Sequence, residues 1–132
     1  MKYLFTLFTA CLLSLNLSAQ IESGTLIHAQ KLTYYMFNSY TEEHEEVGDE
    51  WVSCYLYFEE DFCQLTIEGE QEKLYWNYEF SDEDGNDFYT TEKGGIAYIN
   101  YEENEVQFER TWNDAYETFE ELLIFSAIEL VE

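Results

Sequence analysis

The chain of 132 residues contains no proline, only five lysine and arginine residues and only two histidines. Without proline, every residue retains the backbone N–H that pairing inside a β-sheet requires. The shortage of basic residues excludes negatively charged partners, because 29 acidic residues against five basic ones give a formal net charge of −24. Such a surface repels phosphate backbones and anionic lipid headgroups. We therefore expect neither a nucleic-acid partner nor a membrane-surface partner.

Aromatic residues, in contrast, are abundant: the chain has 12 tyrosines, 10 phenylalanines and 3 tryptophans. Acidic disordered chains are poor in aromatic and β-branched residues. The composition therefore predicts a folded, acidic, aromatic-rich protein.

The first 19 residues have the layout of a secretory signal peptide. Lys2 is the one basic residue, an apolar run extends to Leu17, and the small residues Ser18 and Ala19 follow it. A short basic start, an apolar centre and a small residue at the cleavage point are typical of such signals. The run falls short of the ~20 apolar residues that span a bilayer. We predict cleavage after Ala19 and a secreted or periplasmic location, with no membrane attachment after cleavage.

Residues 20–132 are predicted to form a single β-rich domain. Short segments of alternating apolar and polar residues recur about every ten residues, with acidic or glycine turns between them. Gly24–Asn38 is predicted as one long strand and Ser39–Glu50 as a polar loop. In Lys73–Phe80 every second residue is predicted to face the core: Leu74, Trp76, Tyr78 and Phe80. The predicted fold class is all-β, an antiparallel meander that forms a small sandwich or barrel.

The C-terminal segment Thr118–Val131 permits two interpretations. As a helix it would cluster Phe119, Leu122 and Leu123 on one side; as a closing strand it would alternate Leu122, Ile124, Ser126, Ile128 and Leu130. Periodicity alone does not separate the two in a short apolar run. The surrounding strand signals favour the strand.

Two cysteines, Cys54 and Cys63, follow the predicted signal, and an even number of cysteines in an oxidising compartment suggests a disulfide. They lie in neighbouring predicted strands. A register that pairs 54 with 63 places the two thiols directly opposite each other. A slip of two residues keeps them on one face but makes them diagonal, which is harder to bridge. A three-residue loop closed by residues 58 and 62 would place them on opposite faces of the sheet. Two buried free thiols are the alternative.

The most acidic turn is Phe80–Phe88, with the sequence FSDEDGNDF. Asp82, Asp84 and Asp87 offer the oxygen ligands that calcium prefers, but the glycine and glutamate positions of an EF-hand loop are not matched. Asp-Gly between apolar strands is also a strong hairpin signal. We predict a hairpin turn with its carboxylates in water, these three aspartates being only weak metal candidates, and we predict no cofactor.

Catalytic motifs are not recognisable in the sequence. His44 lies in the acidic stretch 42–46 and has no spaced histidine partner for zinc, and His28 lies in a predicted strand. No nucleophile elbow is present, and carboxylate pairs suited to glycoside hydrolysis arise by chance among 29 acidic residues. The prediction is therefore a protein that is not an enzyme.

Aromatic residues supply the candidate binding site. Trp51, Tyr55 and Tyr57 alternate with the apolar face of their strand, and Tyr75 lies opposite the Trp76 face of the next. If the outer face of the sheet is exposed, these four side chains form an aromatic surface for a protein or carbohydrate ligand. If a second layer covers that face, they are cross-strand packing.

The signal ending in Ser18-Ala19-Gln20 and the short, acidic, tyrosine-rich chain resemble small exported β-rich proteins of unknown function from Bacteroidetes-type bacteria. Residues 51–101, with two hydrophobic strands, a D-x-D-G-type turn and further strands, are similar to the pattern that recurs in them. The resemblance implies export and a β fold, and it implies no activity.

Three functional hypotheses follow. The leading one is a non-catalytic binding or interaction module that uses its aromatic face or acidic loops. The alternatives are a small carboxylate-dependent hydrolase and an acidic inhibitor of a basic partner. A pocket that brings two carboxylates together beside aromatic rings would favour the hydrolase, and a salt-sensitive association would favour the inhibitor.

Overall fold

A computed structural model describes residues 21–131 of the chain, which form one domain with an all-β fold. The predicted fold class is confirmed. A single 3-10 turn, Glu92–Gly94, is the one helical element of this part of the chain. Eight antiparallel strands follow one another: β1 Thr25–Asn38, β2 Glu43–Phe58, β3 Phe62–Ile67, β4 Glu70–Ser81, β5 Asp87–Thr91, β6 Ile96–Asn100, β7 Glu105–Asn113 and β8 Thr118–Leu130.

Each strand pairs with the next, and β8 returns to pair with β1, so the sheet closes into a barrel. The closing register runs from Ile27 opposite Leu130 to Met36 opposite Glu121. Closure gives every strand two neighbours, although not along its full length. The predicted signal peptide, residues 1–19, lies outside the described residues, so export stays a prediction. Across residues 21–131 there is no helix of the length and apolarity needed to span a membrane.

Large aromatic side chains fill the middle of the barrel. The Trp76 ring stacks on Tyr89 at 3.8 Å between centroids and on Phe58 at 5.7 Å. Phe108 lies 6.3 Å from Trp76 and meets Phe125 edge-on at 6.1 Å. These five residues come from five different strands, so their contacts hold the barrel together.

Both ends of the barrel are made of hairpin turns. The entry end, where the chain enters β1, carries the β2–β3, β4–β5 and β6–β7 turns. The far end carries the four remaining turns. At the far end β3 pairs with β2 only from Phe58 back to Cys54, so residues 43–53 of β2 pair with β1 alone. The β3–β4 turn therefore ends well below the β1–β2 hairpin.

Residues predicted as a polar loop belong mostly to a strand. The prediction for Ser39–Glu50 is wrong from Glu43 onward, where β2 begins. The 14-residue strand β1 extends the same distance and supplies a pairing partner, with Tyr35 opposite Glu46 and Phe37 opposite His44. The glutamates of this segment are mostly exposed, so pairing removes little of their charge from water.

Breaks in the alternation change which side chains face the core in two strands. In β4 the register shifts between Tyr78 and Phe80, so Phe80 lies outside, 53% exposed, and its predicted place on the core face is wrong. In β8 the strand interpretation is confirmed, and the buried residues are Phe119, Leu123, Phe125 and Ile128. Ile128 is the one member of the predicted even-numbered series among them. Ala127 has a positive φ of 54°, and the alternation changes phase there.

The predicted disulfide is not formed, and Cys54 and Cys63 are free, buried thiols. Cys54 lies opposite Ile67, whereas Cys63 lies opposite Phe58. Both side chains face the core, but this register separates them by four positions along the strands, beyond the reach of a disulfide.

Candidate functional site

Three of the four predicted binding residues lie together on the outer surface of the barrel. Tyr55 and Tyr57 belong to β2 and Tyr75 to β4; Tyr55 is 39% and Tyr75 50% exposed. Phe62 of β3 lies between the two tyrosine strands. We call Tyr55, Tyr57, Phe62 and Tyr75 the outer aromatic row. Within residues 21–131 no second layer covers this face, because all eight strands belong to one closed sheet.

The strand register brings the rings of the row next to one another. Phe62 is directly opposite Tyr75, and their centroids are 6.1 Å apart. Tyr57 is opposite Gln64, which places its ring diagonally from Phe62 at 6.4 Å. The planes of neighbouring rings are inclined by 50° and 64°, so the row is ridged rather than flat.

A lysine and a histidine pack against the row. Lys73 Nζ lies 4.4 Å from the centroid of Phe62 and 5.8 Å from that of Tyr75, which is cation–π geometry. The His28 ring stacks on Tyr55 at 4.7 Å. Its Nε2 lies 2.8 Å from Ser53 Oγ. His28 therefore has a structural role beside the row.

Glu59 fixes a negative charge at the edge of the row. The hydroxyls of Ser23 and Tyr57 both donate to its carboxylate, and these hydrogen bonds lower the pKa of Glu59. The hydrogen bond that Tyr57 donates to Glu59 raises the pKa of Tyr57. The Trp76 indole donates to the Glu59 carbonyl at 3.0 Å, so the core also holds the backbone of this turn. Glu59 thus stays ionised next to the aromatic rings.

Trp51, the fourth predicted residue, lies apart from the row. It is 72% exposed, and its ring is 5.4 Å from the ammonium group of Lys31. Lys31 also forms an ion pair with Asp49 at 3.3 Å. A register shift in β1–β2 lies between Ala29 and Lys31. Trp51 keeps the outward alternation of Tyr55 and Tyr57, but β3 pairs with β2 only as far back as Cys54, so no strand of residues 21–131 brings an aromatic residue next to Trp51 on that side.

The acidic turn is built by its own side chains and backbone. Asp82 Oδ1 accepts hydrogen bonds from the backbone N–H groups of Asp84 at 3.0 Å and Asn86 at 2.9 Å. Gly85 donates to the Asp82 carbonyl at 3.0 Å and has a φ of +84°, which favours glycine. No group of three or more histidine, cysteine or acidic side chains in residues 21–131 could hold a metal ion.

Asp87 is the exception to the expectation that the carboxylates of this turn lie in water. It is fully buried, and its oxygens accept hydrogen bonds from Ser81 Oγ at 2.7 Å and Tyr101 Oη at 2.6 Å. Burial raises the pKa of Asp87 despite these two donors, which act in the opposite direction. The neighbouring Asn86 donates to Tyr98 Oη and accepts from the backbone N–H of Tyr101. These contacts give Asp87 a structural role at the entry end.

His44, the other weak metal candidate, also has a structural partner. Its Nε2 donates to the carbonyl of Phe119 at 2.5 Å, and its ring packs against Phe37. Phe37 in turn contacts Tyr116 of the β7–β8 turn at 5.2 Å. His44 therefore joins the β1–β2 hairpin to the end of the barrel formed by β7 and β8.

A second outer aromatic group lies on β4, β5 and β6. Phe80 stacks on Phe88 at 4.8 Å, and Phe88 contacts Tyr98 at 4.4 Å. The bulge that turns Phe80 outward creates this group, so strict alternation in the sequence conceals it. Phe62 of the outer row could have been found by alternation, because Cys63 and Leu65 face inward.

The far end contains a pocket of about 510 Å³. It opens where β3 and β4 end below the longer β1–β2 hairpin. Its lining combines apolar, acidic and one basic side chain: Tyr34, Leu65, Ile67, Glu68, Glu70, Gln71, Glu72 and Arg110. The sequence could not predict this pocket, because it depends on strand lengths and on which strands end together.

Arg110 crosses the far end and joins three strands. From β7 it reaches Glu121 of β8 at 2.8 Å and Glu72 of β4 at 2.7 Å. These two carboxylates raise the pKa of the guanidinium against the opposing effect of burial. Both ion pairs lie at the pocket wall, so the positive charge of Arg110 is already matched there.

No protein-family model, no curated protein and no solved structure matches this chain. The resemblance to small exported proteins therefore stays a prediction. The functional proposal has to rest on the geometry of the outer row, the pocket and the charge distribution.

Proposed function

We propose that this protein is a non-catalytic binding module that holds a basic protein partner against its outer aromatic row. The observation that carries this proposal is the cluster of Tyr57, Phe62 and Tyr75 on an outer face that no other part of residues 21–131 covers. Tyrosine and phenylalanine are enriched in protein interfaces because they bury large areas and lose little conformational entropy.

The inclination of the rings favours a protein over a carbohydrate ligand. Sugar rings stack flat on aromatic faces, so a carbohydrate site needs ring faces that are free and accessible. Phe62 is inclined by 64° to Tyr75, and Lys73 lies over its face. Side chains of a protein partner can instead enter the grooves between inclined rings.

Charge supports a basic partner. The chain carries a formal net charge of −24, and Glu59 holds an ionised carboxylate at the edge of the row. Glu60 and Asp61 of the same turn are exposed. Lysine and arginine on a partner would be attracted at long range and paired at the rim. An acidic inhibitor of a basic protein is one form that such a module could take.

The hydrolase hypothesis has weaker support, although carboxylates do meet beside Tyr34 in the far-end pocket. Glycoside hydrolysis needs one protonated acid and one ionised carboxylate at a fixed separation. Glu72 is ion-paired with Arg110 at 2.7 Å. Glu68, in the β3–β4 turn, and Glu70, the first residue of β4, are both exposed, so neither lies in the water-excluded environment in which such an acid is kept protonated.

A capture experiment tests the proposal. The protein without residues 1–19 is immobilised and exposed to extracytoplasmic proteins at low and at high salt. We expect a basic protein to be retained at low salt and largely released at high salt, because rim charges are screened. The Tyr57→Ala, Tyr75→Ala double variant should lose retention about tenfold or more, as truncation of central aromatic residues does in interfaces.

Tyr40→Ala is the matched control, because Tyr40 is a 96% exposed tyrosine in the β1–β2 turn, remote from the row. It should retain the partner like the unmodified protein. Melting curves of all variants show whether each is folded. Equal retention by the double variant and the Tyr40 control, or no retained partner at either salt concentration, would contradict the proposal.

A further inference from the structure

We propose that the far-end pocket binds a small aliphatic amine, with its ammonium group at Glu68 and Glu70 and its methylene chain against Leu65 and Ile67. This site is separate from the outer aromatic row and does not depend on the protein partner. The inference starts from the pocket itself, whose volume of about 510 Å³ lies within the range of small-molecule sites.

The fold fixes most of the pocket. Its walls come from β1, β3, β4 and β7 of the closed barrel and from Glu68 in the β3–β4 turn. Leu65 is almost fully buried and forms part of the inner wall, and Arg110 is held on its side of the pocket by Glu72 and Glu121. These walls are in place before a ligand binds, and the ligand has to order only the exposed side chains of Glu68 and Glu70.

The charge of the pocket favours a cation. Glu68, Glu70 and Glu72 contribute three carboxylates to the lining, against the single guanidinium of Arg110. Arg110 pairs with Glu72 and also with Glu121, so its charge is offset within the site. An anion would have to displace one of these carboxylates, whereas an ammonium group adds to the existing arrangement.

Two side chains at this end of the barrel also respond to this negative field. Burial, together with the charges of Glu68 and Glu50, raises the pKa of Cys54 to about 11. Burial, a hydrogen bond to Glu50 and the charges of Glu50 and Glu68 all raise the pKa of Tyr34. The field of these glutamates thus reaches the lining of the pocket.

The apolar part of the lining selects the body of the ligand. Leu65 and Ile67 lie on β3, and the Tyr34 ring faces the pocket from β1. A chain of methylene groups removes this surface from water, while its ammonium end pairs with carboxylates. A fully hydrated metal ion would gain nothing from the apolar wall.

Calorimetric titration with cadaverine tests the inference. We expect one molecule bound per chain at low salt. Pentanediol has a similar length but no charge, and glutarate has a similar length but the opposite charge. Both should bind at least about tenfold more weakly than cadaverine, because neither offers an ammonium group that can form charge-assisted hydrogen bonds with Glu68 and Glu70.

Matched variants locate the binding. The Glu68→Gln, Glu70→Gln double variant keeps the shape of both side chains and should weaken cadaverine binding about tenfold or more. The control is Glu102→Gln, Glu103→Gln, which removes the same charge from exposed residues of the β6–β7 turn at the entry end. It should change the affinity less than about twofold, since that turn is remote from the pocket.

Three results would overturn the inference. Equal weakening by both double variants would mean that cadaverine responds only to net charge. Tighter binding of glutarate than of cadaverine would assign the pocket to anions through Arg110. No binding of cadaverine by the folded, unmodified protein would exclude the site, and none of these results bears on the aromatic row.

Discussion

Asp87 is a carboxylate placed out of water at the entry end, and its burial makes stability depend on pH. Burial raises the pKa of Asp87 above 3.8, so the folded state binds its proton more tightly than the unfolded state. The stabilisation of the folded state that results from this tighter proton binding is therefore fully present below pH 3.8, and it is lost as pH rises through the raised pKa of Asp87. Most other carboxylates of the chain lie in water and do not share this environment.

The variant Asp87→Asn isolates this effect. We expect the unfolding free energy of the unmodified protein, minus that of the variant, to fall as pH rises from below 3.8 to about neutral. Urea unfolding at a series of pH values measures this difference. A difference that rises with pH would show that the hydrogen bonds from Ser81 and Tyr101 outweigh the cost of burial.

The cysteines give a second prediction at the scale of single residues. Burial raises the pKa of both thiols, that of Cys54 to about 11, so thiolate is scarce in the folded protein. The protein without residues 1–19 should react slowly with a thiol reagent when folded. It should show two reactive thiols when unfolded without reductant. Absence of reactive thiols after unfolding would mean that the two cysteines are bridged.

Some of these residue roles can be predicted from the sequence and others cannot. The outward direction of Tyr55, Tyr57 and Tyr75 follows from alternation with buried neighbours. The burial of Asp87 does not follow from the sequence, because its hydrogen-bond donor Tyr101 lies in the β6–β7 turn, 14 positions later in the chain. Only the folded protein brings this donor next to Asp87. The same holds for the pairing of Arg110 with Glu72 across 38 positions of sequence.

At the scale of elements, bulges and turns decide which faces are buried. The sequence predicts most of the strands, including β1 as one long strand, because their alternation is strong. It fails at the β4 bulge, which turns Phe80 outward, and in β8, where odd-numbered residues up to Phe125 face the core and the alternation changes phase at Ala127. It also fails for Glu43–Glu50, whose strand structure comes from pairing with β1 rather than from its own pattern.

The turn between β5 and β6 gives a prediction at this scale. A Cβ atom on Gly95 would lie 2.6 Å from Thr91 Oγ1 and 2.8 Å from Phe119 Cζ, so Gly95→Ala forces two neighbours to move. We expect a loss of about 1–3 kcal/mol in unfolding free energy, measured by urea denaturation.

Gly48→Ala is the control, because its added Cβ meets no atom within 4 Å. This variant should change stability by less than about 0.5 kcal/mol, as surface substitutions usually do. Equal unfolding free energies of the two variants would mean that Thr91 and Phe119 move aside without a loss of stability, and the close packing of Gly95 would be disproved.

At the scale of the whole molecule, closure and charge define what the protein can bind. The closed barrel pairs most of each strand on both sides, but within residues 21–131 the stretch 43–53 of β2 has β1 as its one partner strand, so backbone is open to pairing there. The outer aromatic row, in contrast, offers a partner side chains that project from the face of the sheet. The outer face of β2, β3 and β4 carries the outer aromatic row, and the acidic residues around the row attract basic groups. Composition predicts this charge, but the position of the row and the pocket depends on the register of the closed sheet.

The most direct test of the proposed function is hydroxyl-radical labelling of the protein, free and in complex with the captured partner, read by mass spectrometry. If the partner binds at the outer aromatic row, labelling of Tyr57, Phe62 and Tyr75 falls in the complex, while Tyr40 and Tyr116 are labelled as in the free protein. Unchanged labelling of the row, with protection at Tyr40, Tyr116 or Phe80 instead, would contradict it.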